Sequence, residues 1–443
     1  MNKLLPASGS TRFHLRPRVK SLNPILFSAL AVFLVAALAF DDAPAGKWKG
    51  KMVKKDGVLH VMNPAEPLDG KNTYELKELW RLGGETDDED EIFGIITRIL
   101  TDKDGNVYLL DTQLSEIKVF SPDGEFIRTI GRKGEGPGEF QTPVGMFFTP
   151  GGDIAVMQVA PGKIVLLSPE GEPRGEHPIP KLEGSGFLII NNGRYQGGNL
   201  VLALSVNAFE AEKFSQKQYL ASIAEDGSEK AHYYEETLML DFSNAVMDDS
   251  KWNNFKNRWT LGADGRVYSN VTYDDYTINV WRPDGTLDRI IEREYKHHER
   301  SEVEKNRMIN IFKAFTRQVP NAKFKISDYA SDIEQIHARE DGTIWVVSSN
   351  GARDLPEGVI ATFDVFDKNG IFTRQVSLKG EGRPLFDGFY FVGNRLYVVT
   401  GLLQAAIALQ AGGQAVDLGD EEEPKPMEVI CYELDKDLWL SKN

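Results

Sequence analysis

Six short apolar runs in this chain each end on a polar residue: Asp111, Gln158, Ser205, Thr272 (with Asn270 two positions earlier), Ser348 and Thr400. Hydroxyls, an amide and a carboxylate recurring at one position of a repeated unit would, if they converge, bind a polar ligand or a cation. The competing account is that polar side chains end strands and cap the turns that follow. Arg98, on the run that precedes Asp111, is a further ligand-binding candidate.

Metal chemistry has a thinner basis. Asp274 and Asp275, flanked by Tyr273 and Tyr276, extend the run that carries Asn270 and Thr272; with His337 they are the metal candidates. The acidic stretches 87–91 and 421–423 have the composition of solvated loops. Of seven histidines, only His337 lies on a run expected to approach a shared centre, and one histidine does not make a catalytic zinc site. Residues 102–106 resemble a calcium loop, but the glycine falls too early and no glutamate closes it. The glycine-rich stretch 131–140 lacks the Gly-Lys-Ser/Thr ending of a phosphate loop, and Glu135 and Glu139 would repel phosphate. No Ser/His/Asp grouping stands out, so no catalytic residue is assigned. No cofactor is predicted, although a divalent cation such as calcium stays open.

The elements that must position these residues are short β-runs separated by turns. In the first unit, 95–100, 107–111, 117–120 and 126–130 are punctuated by Asp104-Gly105 and Asp123-Gly124. Such dipeptides signal type I′ hairpin turns, with φ > 0 at both central positions. Equivalent turns recur at Gly151-Gly152, Gly197-Gly198, Asp264-Gly265, Asp341-Gly342 and Gly393-Asn394, the first two units being spaced by about 47 residues. Residues 74–82 alternate apolar and charged side chains and read as a lone strand ahead of the first unit. Donated to an incomplete last unit, that strand would close a ring and remove an exposed sheet edge.

Two inserts interrupt the repeat. In 294–332, Val303, Met308, Ile311, Phe312 and Phe315 are spaced for one amphipathic helix. The Ala/Gln/Gly-rich and acidic stretch 402–426 reads as a flexible loop with a short helical piece at its start. Residues 40–73, rich in Gly, Pro, Lys and Asp, read as a tether or loosely packed lead-in.

Six units with one donated strand predict an all-β fold: a six-bladed β-propeller of four-stranded antiparallel blades over 74–440. Gly136-Pro137-Gly138-Glu139-Phe140 followed by Pro143, residues 104–111, and Ile117-Lys118-Val119-Phe120 followed by Asp123-Gly124 resemble NHL repeats. The chain is similar to exported bacterial six-bladed propellers of NHL type. It departs from the pattern in units three to six, which lack the full glycine joint, and at Lys118, where an arginine is usual. The resemblance implies a propeller that binds or scaffolds, since most members of the class do so.

Charge and targeting narrow the partners. The formal net charge is −15, and the first 39 residues carry five basic and no acidic side chains, so the remainder stands at −20. So acidic a body repels phosphate backbones and anionic lipid, which excludes nucleic acid as an expected partner. Basic residues at 12, 16, 18 and 20, an apolar run over 25–40 and Ala37-Leu38-Ala39 describe a signal peptide over 1–39, or an uncleaved anchor. The single cysteine, Cys431, cannot form an internal disulfide, so an exported body must hold together by packing. The expectation is an exported, periplasmic or extracellular binding or scaffold protein. It would recognise a protein or a small polar ligand at the channel mouth or loop face, touching membrane only through an anchor. The alternative is a divalent-metal hydrolase or lyase at the channel.

Overall fold

Turn chemistry sets the architecture. In a computed structural model that describes residues 48–435 and 438, apart from 183, 211–212, 252–257, 318, 320, 415 and 420–424, the turn at 102–106 is built around Asp102. Its carboxylate accepts the Asp104 and Asn106 amides, each at 2.9 Å, and the Gly105 amide returns to the Asp102 carbonyl at 3.1 Å. Only Gly105 has positive φ there. This is a type I turn followed by a glycine bulge, not the expected type I′ turn. Type I′ geometry occurs instead at Asp56-Gly57 and Gly197-Gly198, where both central residues have positive φ and their flanking residues pair directly.

Strands joined by these turns form six antiparallel sheets. Blade 1 spans 96–130, blade 2 143–177, blade 3 187–241, blade 4 259–293, blade 5 333–379 and blade 6 388–433. The N-terminal strands are β1 (Lys51–Lys55), β2 (Val58–Asn63), β3 (Lys71–Glu75) and β4 (Lys77–Gly83). Strand β4 pairs antiparallel with Glu428–Glu433 and supplies the outer strand of blade 6, closing the ring.

Of the lead-in 40–73, residues 40–47 lie outside the described residues, and 48–73 form strands rather than the tether expected. The β1–β2 hairpin adds to blade 4, with β2 parallel to Leu287–Arg293, and β3 runs parallel to Phe372–Lys379 on blade 5. The chain therefore walks along the rim from blade 4 to 5 to 6. Each outer strand offers unpaired N–H and C=O groups, and the rim strands satisfy them. The segment 1–39 and the acidic run 421–423 lie outside the described residues.

The core is divided among the blade interfaces. Trp345, Phe363 and Phe389 join blades 5 and 6; Tyr397, Ile96 and Phe120 join 6 and 1; Tyr108, Met146 and Ile154 join 1 and 2. Clusters around Ile190, Trp259 and Tyr276 fill the remaining three. Cys431 is buried in the blade 6 to blade 1 cluster, as a small core residue.

One end of the ring is capped. Helix α1 (Glu302–Phe315) lies in the connection from blade 4 to blade 5 and starts on a capping box made by Ser301 and Glu304. Helix α2 (Leu402–Gln410) opens the insert between the second and third strands of blade 6. Phe312 packs with Leu240, Ala245 and Met247 beside the long strands of blade 3, and Ala314 packs with Ile407 and Ala411 of the second insert. In an antiparallel ring both connections emerge opposite the turns that join first to second strands.

Candidate functional site: an arginine-lined central channel

The recurring polar residues have local employment. Asp111 is fully buried and accepts four amides: Gly94 at 2.7 Å, Ile95 at 3.1 Å, and Gln113 and Leu114 at 2.9 Å. Gln158 repeats this in blade 2, accepting the Gln141 amide at 2.8 Å and donating to the Pro161 carbonyl at 3.0 Å. Ser205 accepts from the Asn191 side chain, Ser348 from the Gly351 amide and Thr400 from the Glu428 amide. Asn270 donates to the Asp275 and Thr277 carbonyls and to the Thr272 hydroxyl, which itself donates to Asp275. These side chains tie the end of each second strand to the neighbouring turn or strand. Asp111, Gln158, Ser348 and Thr400 supply acceptors to backbone amides at those turns, whereas Ser205 accepts a side-chain amide and Asn270 and Thr272 donate to carbonyls, so all of them have local partners.

The metal candidates are not brought together. Asp274 and Asp275 are exposed, and their charges act on His297 and Asp332 rather than on His337. The ring of His337 meets Gln335, Phe363 and Phe391. Among the described residues no group of three His, Cys, Asp or Glu side chains could hold a metal ion. In the first acidic loop the cation is the protein's own: Lys118, nearly buried, donates to the Glu89 and Asp90 carbonyls at 3.0 Å.

Polar groups do converge on the innermost strands. A cavity of about 270 Å³ follows the ring axis, lined by Arg98 of blade 1, Arg194 of blade 3, Gln335 and His337 of blade 5, and Tyr390 of blade 6. Apolar side chains such as Ile99, Leu100, Leu261, Ile336 and Phe391 lie between them. It reaches the end of the ring where first strands turn into second strands, marked by the exposed residues Gln196, Ala263 and Glu340. Leu402 of α2 lines it at the capped end. A one-residue bulge at Thr97, Asn191 and Glu334 shifts the first strands of blades 1, 3 and 5 just ahead of Arg98, Arg194 and Gln335. Such a bulge exchanges the faces to which all later side chains point.

The electrostatics of the cavity are unusual for so acidic a chain. Burial pulls Arg98 below the ordinary guanidinium range, opposed only by Tyr390. Burial and the Arg98 charge bring Arg194 down to about 9, still protonated at neutral pH. No carboxylate among the described residues acts on either group. The Nε atoms of both are cut off from solvent without a hydrogen-bond partner, and Arg194 lies 5.2 Å from the Trp259 ring centroid. Burial also lowers Arg339 and leaves its Nε without a partner, but this group donates to the Gly393 carbonyl, and Asp341 and Glu340 oppose the shift. His337 is held down to about 3 by burial and by Arg194 and Arg339, so it is neutral, bonded to Gln335 at 3.2 Å. Tyr390, pushed up to about 12 by burial, donates to the Thr97 carbonyl at 3.0 Å.

Of the expected site residues, then, Arg98 and His337 line the channel. Arg194, Tyr390 and Gln335 were missed. Their signal was a basic or polar residue on the first strand of several units, visible only when first strands rather than second strands are superposed.

This ring of blades identifies the class, and sequence comparison identifies the family. The profile of the 6-bladed beta-propeller family matches residues 75–318, and the chain belongs to that family. No curated protein matches its sequence. Among solved structures it is similar to a Bacteroides vulgatus protein, at 11% identity over 81% of this chain and 97% of that one, with a TM-score of 0.46. It is also similar to virginiamycin B lyase from Staphylococcus aureus (12% identity, 81% and 100% covered, TM-score 0.37). A third is the calcium-binding protein regucalcin from Agrobacterium tumefaciens (10% identity, 82% and 97% covered, TM-score 0.41).

Proposed function

We propose that this chain is an exported ligand-binding propeller that admits a small polar ligand to its central channel from the uncapped end. The observation that carries this reading is the cavity itself: a concave space on which polar side chains of four blades (Arg98, Arg194, Gln335, His337 and Tyr390) converge, with apolar side chains between them. Export rests on the basic and apolar pattern of residues 1–39. Among the described residues no helix is long and apolar enough to cross a membrane. A divalent-metal hydrolase or lyase is less well supported, because two unpaired guanidinium groups at the channel centre repel a cation.

Blocking the mouth tests the reading. Ala263 is exposed and lines the cavity, so Ala263→Trp fills the entrance without touching the core. A library of polar metabolites screened by thermal shift should give hits on the wild type that the variant loses. Hits that survive Ala263→Trp would place the site elsewhere. The rival surface is then the exposed cluster of Phe187, Phe209 and Met239 on the long strands of blade 3, which a protein partner could cover.

A further inference from the structure

We infer that the channel takes a small dianion whose oxygen atoms bridge the guanidinium groups of Arg98 and Arg194. This deepens the channel reading and rests on it. Native proteins seldom bury a charge without a partner, since the lost hydration is not returned by the surroundings. Here two part-buried guanidinium groups, each with its Nε cut off from solvent and unpartnered, face one cavity and repel each other.

The other charged groups that line the cavity leave this pair uncompensated. Glu340 is exposed at the mouth and supports Arg339. Asp387, at the capped end, accepts the Arg383 amide at 2.6 Å and the Gly401 amide at 2.8 Å, and its charge does not act on Arg98 or Arg194. His337 adds no charge. The unmatched charge is therefore that of two arginines, and a dianion neutralises it.

Geometry selects an oxygen-bearing anion over halide. A guanidinium presents parallel N–H groups in a fixed fork that fits carboxylate and phosphate oxygens. Trp259 packs near Arg194 and limits how that fork can turn. The cavity, about 270 Å³, admits a phosphate- or sulfate-sized ion or a short dicarboxylate rather than a polymer. The acidic exterior makes this selective, because only an anion able to use both forks gains enough to enter against a net charge of −15.

The test uses the full chain, titrated at fixed ionic strength with sodium sulfate, sodium malonate, sodium acetate and sodium chloride, with thermal shift and calorimetry as readouts. Sulfate or malonate should bind saturably, and whichever binds more tightly tells a tetrahedral oxyanion from a dicarboxylate. Acetate should bind at least tenfold more weakly, and chloride only non-specifically. Arg98→Gln and Arg194→Gln should each weaken the dianion at least tenfold, while melting no lower than wild type without anion because repulsion is relieved. Arg132→Gln, at an exposed arginine outside the channel, should leave the affinity unchanged. Equal responses to all four salts, or wild-type affinity in both channel variants, would overturn the proposal. If neutral metabolites bind in a manner blocked by Ala263→Trp while neither dianion binds, the ligand class is wrong and the channel reading stands. If nothing binds in that manner, the channel reading goes as well.

Discussion

At the residue scale, a carboxylate that accepts four backbone amides acts as a lock, and Asp111 is one. One oxygen takes the Ile95, Gln113 and Leu114 amides; the other takes Gly94. Asp111→Asn keeps the first set but turns an NH2 group against the Gly94 amide, donor facing donor. The expected loss is about 2 kcal/mol, from one unmatched buried amide and weaker neutral hydrogen bonds. Urea denaturation measures it, and a loss below about 0.5 kcal/mol would mean the carboxylate is not holding this turn. The recurrence of Asp111, Gln158, Ser205, Ser348 and Thr400 was legible in the sequence. Its meaning was not, because ligand-binding groups and turn locks share the same residue types and differ only in what lies within 3 Å of them.

At the scale of elements, the rim strands show how a segment with weak periodicity can be ordered by what it meets. Strands β1 and β3 are mostly exposed and carry several charges, so no apolar alternation announced them. Their order comes from neighbouring strands with free backbone groups. Asn63, at the end of β2, fixes the arrangement. Its amide donates to the Glu292 and Gly370 carbonyls at 3.1 and 2.9 Å, and its oxygen accepts the Phe372 amide at 2.8 Å. It thus joins the N-terminal hairpin to blades 4 and 5. Asn63→Ala should cost about 2–3 kcal/mol, since it leaves buried backbone groups on two blades unmatched. Hydrogen exchange should show faster opening along β2 and at residues 370–373; unchanged protection there would separate Asn63 from the rim. The helical insert was easier to read, because the spacing of Val303, Met308, Ile311, Phe312 and Phe315 is a local signal; the Ser301–Glu304 capping box that starts the helix was a second one, missed.

At the scale of the whole molecule, stability belongs to a closed cycle of interfaces rather than to one central core. Each blade packs on two neighbours, so opening the ring weakens more than the blade that opens. Strand β4 closes the cycle: Leu82 is buried between blades 6 and 1, and Trp80 packs on the same cluster. A chain lacking residues 1–84 leaves Glu428–Glu433, four of whose own side chains are buried in the full chain, as a bare edge. Such an edge pairs with other chains, so the truncated protein should elute as oligomers or fail to stay soluble. A truncated monomer that melts like the full chain would show that the ring does not depend on its closing strand.

The sequence by itself determined the number of blades, the order of their strands and the strand that completes the last blade. Those properties depend on local turn chemistry and on apolar alternation, which neighbours along the chain encode. Tertiary structure alone decided the channel. Arg98 and Arg194 lie 96 positions apart in the sequence, on different blades. One-residue bulges set their facing, and the charge of each is unusual because, among the described residues, no carboxylate acts on it. Proximity across a ring axis leaves no periodic trace in any one strand, so an acidic chain can hold a basic centre that its composition hides.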